Sequence, residues 1–134
     1  MPFNWAELLL LAEDLHSGKM QRSPSVSREC FLRTVCSRAY YAVYCITRDF
    51  EALSHKFSCS KSNSVHEALY QHLRTRPGID PIVIRNFNEL RQSRVDCDYN
   101  NPFKRINRLN LEAEASKAIH SAKTIINGHC GNIT

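Results

Sequence analysis

At 134 residues, with 43% hydrophobic and 23% charged residues, the chain can close one modest core and has little left for a second, so a single domain over 1–134 is expected. That balance excludes a long disordered tract, and AELLLLAEDL, apolar for only a few residues between acids, falls far short of the roughly 20 that cross a bilayer. The net charge is +5, and 12 of the 18 cations are arginine, whose planar fork suits phosphate, although the cations are spread along the chain and form no basic block.

No charged leader or small-residue cleavage site is visible, so a cytoplasmic protein without a membrane partner is expected. The six cysteines, Cys30, Cys36, Cys45, Cys59, Cys97 and Cys130, are scattered, and three fall in one predicted helix. They read as buried, reduced thiols.

Asn4 with Glu7 predicts a capping box, Phe3 with Leu8 its hydrophobic staple, and Gly18 a stop, giving a first helix over about 5–17. KMQRSPSVS is a polar linker. A second helix over about 25–52 carries Phe31, Val35, Ala39, Ala42, Val43, Ile46 and Phe50 at helical spacing, and its other faces hold Tyr40, Tyr41, Tyr44 and two cysteines. A helix apolar nearly all round is a buried one. SHKFSCSKSN is a Ser/Lys loop. Ser64 with Glu67 opens a third helix to about Arg74, Asp80-Pro81 opens a fourth to about Cys97 or Asp98, and NNP breaks it. The fifth runs from Leu111 to a stop at Asn127-Gly128. No strand pattern appears, so the expected class is all-α.

On the fourth helix Val83, Phe87, Leu90 and Cys97 share one face, and Arg94 falls inside that stripe, with Arg91 and Asp98 at its edge. A guanidinium aimed inward demands an acidic or backbone partner, or else a solvated cleft in which a ligand reaches it. Asp98, four residues on along the same helix, is the first candidate partner, and Asp49 or Asp96 could serve elsewhere. Arg38 beside the second helix's stripe poses the same question. His55 with Cys59 and His129 with Cys130 are the only pairs that suggest zinc, and their spacing is not compact, so no metal or other cofactor is expected.

SRAYYA on the second helix, VHEALYQHL on the third and LRQSRVDCDYNN on the fourth, with the opening FNWAELLLLAEDL, together resemble the HEPN domain family, over nearly the whole chain. The matching motif is R-x-x-[small]-D-Y-[ND], carried here by Arg94, Val95, Asp96, Cys97, Asp98, Tyr99 and Asn100. The resemblance implies an up-and-down bundle of about five helices that pairs about a two-fold axis, with the polar motif facing a shared cleft. Many HEPN proteins are metal-independent ribonucleases of toxin–antitoxin and phage-defence systems with an R-x4-6-H motif, while others lack the histidine and bind nucleotides or partner proteins.

This chain departs from the nuclease motif, because Tyr99, Asn100 and Asn101 fill the histidine window. His66 and His72 on the third helix could complete a site across a dimer, though a lone histidine on an amphipathic helix is more often a packing or surface residue. The first expectation is therefore a homodimer that binds RNA, a nucleotide, or an antitoxin or nucleotidyltransferase-like partner. Its candidate catalytic group is Arg94, Asp98 and Tyr99, and its ligand-binding group Arg38, Tyr41, Arg91 and Asn100. An active endoribonuclease and a structural interaction module are the alternatives.

Overall fold

The structure is a computed structural model that describes residues 3–19, 25–58 and 64–130. Five helices, α1 (Ala6–Ser17), α2 (Arg28–His55), α3 (Val65–Thr75), α4 (Pro81–Tyr99) and α5 (Leu111–His129), pack into one small bundle, with a 3₁₀ turn at Arg108–Asn110 leading into α5. No strand occurs among the described residues. Residues 20–24 of the polar linker and 59–63 of the Ser/Lys loop, Cys59 included, lie outside them.

The helix boundaries follow the local chemistry. Ser27 Oγ accepts from Cys30 N at 3.1 Å to start α2, and Asp80 Oδ1 accepts from Ile82 N at 2.9 Å to start α4, with Pro81 in the first turn. Each satisfies one amide that the first helical turn leaves without a partner. Ser64 Oγ takes the Glu67 amide at 3.5 Å, half of the predicted box, while the Glu67 carboxylate turns outward to Gln71 and Arg91. Gly18 ends α1 in the left-handed region, φ 81°. At the start of α1 the expectation of a box and staple is not met: Asn4 Oδ1 accepts from the Ala6 amide instead, and Phe3, 54% exposed, lies edge-on against Trp5 rather than under Leu8.

α2 is the hub. It packs against α1, α4 and α5, and Val35, Ala39, Tyr40, Ala42 and Val43 are all fully enclosed. The apolar circumference legible in the sequence is thus covered within the chain. Burying side chains of this kind is the main favourable term in so small a domain, at about 1.5–3 kcal/mol for each large one.

Two buried carboxylates pin the ends of the bundle. Asp96, fully buried on α4, accepts the backbone amides of Lys104, Arg105 and Ile106 at 2.7, 2.9 and 2.7 Å, and the Asn100 amide side chain at 2.8 Å. Burial opposes its ionisation, yet these donors outweigh burial and hold its carboxyl at about 2. The irregular segment after α4 is thereby folded back over that helix. At the far end, Glu51 is fully buried and its Oε1 accepts from Arg76 Nε at 2.6 Å and His72 Nε2 at 3.2 Å. Its Oε2 faces His129 Nε2 at 3.8 Å and His55 Nε2 at 3.9 Å.

The Glu51 cluster explains a second departure from expectation. Asn127-Gly128 does not stop α5, which runs on to His129 because His129 sits against Glu51 and Cys130 is buried with its Sγ 3.7 Å from Thr47 Oγ1. Tertiary anchoring overrides the glycine's weak helix preference. Cys36, Cys45, Cys97 and Cys130 are buried free thiols as expected, whereas Cys30 is exposed. Among the described residues, no helix is long and apolar enough to cross a membrane.

Asp96→Ala should strand three backbone amides at once and cost about 3 kcal/mol, read as a lower urea midpoint at an unchanged slope. Wild-type stability near this group should also fall as pH drops from about 4 towards 2, because the unfolded carboxyl takes up its proton before the folded one does. A midpoint that Asp96→Ala leaves unmoved would contradict the pinning role.

Candidate nucleic-acid interface

Arg94 lies where its helical register predicts, between Leu90 and Cys97 on the core side of α4, and only 6% of it is exposed. Its Nη2 donates to Tyr41 Oη on α2 at 2.9 Å and to His66 Nε2 on α3 at 3.2 Å. Asp98, one turn on, places Oδ2 3.5 Å from Arg94 Nε, an ion pair without a hydrogen bond, so that Nε is buried without a hydrogen-bond partner. The guanidinium also stands 5.0, 5.5 and 5.6 Å from the ring centres of Tyr41, Tyr40 and Tyr99. A planar cation amid three aromatic faces keeps much of its electrostatic stabilisation out of water.

The hydrogen bonds fix the state of His66. Arg94 can only donate, so His66 Nε2 must be the bare acceptor and Nδ1 must carry the ring proton. Nδ1 then donates to Tyr40 Oη, 2.8 Å away. Protonating Nε2 would set two donors against each other. In agreement, burial first and then the Arg94 and Arg91 charges hold the His66 pKa down to about 4, so the ring is neutral at physiological pH. Tyr40 is fully buried, which pushes its phenol up against the opposing pull of the same two arginines.

From Asp98 the network continues to the surface. Ser37 Oγ donates to Asp98 Oδ2 at 3.2 Å and accepts from Arg38 Nη2 at 3.1 Å, and the Arg38 guanidinium lies 4.8 Å from the Tyr41 ring centre. Arg38, Ser37 and Asp98 line a groove of about 430 Å³ between the first half of α2 and the end of α4, together with Arg33, Thr34 and Cys97. Arg33 in this groove is already engaged by Glu29 and by the carbonyls of Cys97 and Asn100. Arg38 has no carboxylate within ion-pair distance among the described residues.

Of the predicted residues, Arg94, Asp98, Tyr99, Arg38 and Tyr41 thus come together. Arg91 and Asn100 do not join the groove. Arg91 pairs with Glu67 and lies 4.8 Å from the Tyr70 ring centre, and Asn100 spends its side chain on Asp96; both border a different hollow of about 290 Å³ with Lys104 and Arg105. The reading of Arg94 as a cation in a wet cleft also needs correction, since it is buried and held by three helices, and the solvent-facing cation of the site is Arg38.

His66 is the residue whose place in the site the sequence reading undervalued. The signal was present: His66, Leu69 and Leu73 fall at helical spacing on one face, and both leucines are fully buried, so the histidine had to face inward with a polar partner. His72 goes instead to Glu51. His55 and His129 also meet at Glu51, but among the described residues no group of three His, Cys, Asp or Glu is placed to hold a metal ion. No family model, curated protein or solved structure matches the chain.

Arg94→Ala should cost about 3 kcal/mol, because it leaves His66 and Tyr41 without their buried donor and Asp98 without its counter-charge. Stability should also fall as pH drops from about 6.5 towards 4, since there the unfolded histidine binds a proton that folded His66 refuses. His66→Gln, whose amide can both accept from Arg94 and donate to Tyr40, should flatten that limb. Urea titrations at several pH values check this, and an equally steep limb in His66→Gln would contradict it.

Proposed function

We propose that the chain is a HEPN-type helical module that binds a phosphate-bearing ligand, RNA or a nucleotide, in the groove between α2 and α4. The observation that carries this reading is the state of Arg38. Its fork leans on Tyr41, is oriented by Ser37, opens on a groove of about 430 Å³ that Glu29 and Asp98 also line, and has no carboxylate within ion-pair distance among the described residues. An arginine held but uncompensated favours an incoming anion, and its planar donors match phosphate oxygens. Arg94 then serves as the buried frame that fixes Tyr41 and Asp98 around the groove. In this reading the module acts in the cytoplasm as a homodimer, or with an antitoxin or nucleotidyltransferase-like protein, in a toxin–antitoxin or phage-defence setting.

A metal-independent endoribonuclease is the second reading, and the contact of His66 with Arg94 favours it. RNA cleavage by transesterification needs a base for the 2′-hydroxyl, a cation for the charged phosphorane and an acid for the departing 5′-oxygen. His66 and Arg94 supply two such groups in one chain, replacing the histidine missing after Arg94. Against it, the Nε2 lone pair that would take the proton is occupied by Arg94, and a histidine titrating near 4 is a weak base at neutral pH. Binding without turnover is therefore the better supported function.

Anisotropy titrations of a labelled single-stranded RNA in EDTA should show Arg38→Ala weakening binding about tenfold and lowering the salt slope by about one. Unchanged affinity would remove the phosphate reading. Total RNA incubated with wild type and with His66→Gln separates the two functions: intact RNA in both supports binding alone, and cleavage that His66→Gln abolishes establishes the nuclease. Sedimentation as a monomer at micromolar concentration would remove the homodimer.

A further inference from the structure

Tyr99 is the last residue of α4 and is 70% exposed, although it stands beside the buried Arg94 guanidinium. A tyrosine at a helix end commonly tucks its ring against the bundle. Here Arg94 lies 5.6 Å from the ring centre, and most of the ring is left to solvent. The same guanidinium lies 5.0 Å from Tyr41, whose ring in turn lies 4.8 Å from Arg38. Cations and aromatic rings therefore alternate in the order Arg38, Tyr41, Arg94, Tyr99, from the groove through the buried guanidinium to the exposed ring.

From this geometry we infer that Tyr99 is a stacking platform for an unpaired nucleobase, with a phosphate of the same strand held at Arg38. This deepens the phosphate-binding reading and rests on it, and it narrows the ligand class to one with unstacked bases: a single-stranded segment rather than a duplex. Three properties fit. The ring is exposed enough to accept a second ring on it, unlike Tyr40 and Tyr44, which are buried. Its neighbour Arg94 is immobilised by Tyr41, His66 and Asp98, so the platform has a fixed edge rather than a mobile one. The cation beside the ring adds attraction for the electron-rich face of a base. A duplex keeps its bases stacked on one another and cannot offer a face to Tyr99.

The test compares a labelled single-stranded decamer of uridine with an abasic decamer of the same backbone and a ten-base-pair duplex, titrated against the full chain in EDTA. Wild type should bind the uridine decamer about tenfold tighter than the abasic one, and tighter than the duplex. Tyr99→Ala should lose the preference for bases while keeping its affinity for the abasic strand, Tyr99→Phe should retain the preference, and Arg38→Ala should weaken both strands alike. If Tyr99→Ala still prefers the uridine decamer, or if the duplex binds as tightly as the single strand, the stacking platform is wrong while phosphate binding survives. If wild type binds neither strand, or Arg38→Ala leaves both affinities unchanged, the underlying reading itself fails.

Discussion

The Arg94 guanidinium is the interaction on which the site depends. It reaches Tyr41 on α2, His66 on α3 and Asp98 on its own helix, so three of the five helices meet at one charge. Burying a cation is costly unless it is well paired, and here the pairing is incomplete, since Nε has an ion partner but no hydrogen bond. The flanking aromatic rings offset part of that cost without introducing a second charge. The result is a rigid frame whose unspent polarity is passed outward through Asp98 and Ser37 to Arg38, at the groove.

Other buried charges in the bundle behave differently, and the contrast helps to separate structure from function. Asp96 is fully satisfied by three backbone amides and Asn100, and its role ends with closing the segment after α4. Glu51 ties the ends of α2, α3 and α5 through Arg76 and its histidines. Both are inward-looking pins. The Asp96 network does border the smaller hollow with Lys104 and Arg105. The Arg94 network reaches the larger groove of about 430 Å³ and ends on Arg38, which has no carboxylate within ion-pair distance among the described residues, and the ligand is placed there.

Much of this was legible in the sequence. The five helices followed from period and caps, and the inward aim of Arg94 followed from its register with Val83, Phe87, Leu90 and Cys97. Pairing with Asp98 could be anticipated from the four-residue spacing. What could not be read was anything set by contacts distant along the chain. Asp98 stood out by its spacing from Arg94, but nothing near Asp96 in sequence shows that the return of Lys104–Ile106 over α4 makes it a structural anchor. The run of α5 past Gly128 likewise depends on Glu51, far away in sequence. The apolar circumference of α2 was visible, but not whether α1, α4 and α5 or a second copy would cover it.

The tautomer of His66 tests the central claim most directly, because the Arg94 donation to Nε2 requires the ring proton on Nδ1. Long-range proton–nitrogen correlation spectra of the histidine side chains at neutral pH should show His66 as the neutral ring with its proton on Nδ1 and a bare Nε2. A proton on Nε2, or a charged ring at pH 7, would mean that Arg94 does not donate to His66, and the three-helix frame proposed to organise the groove would not exist.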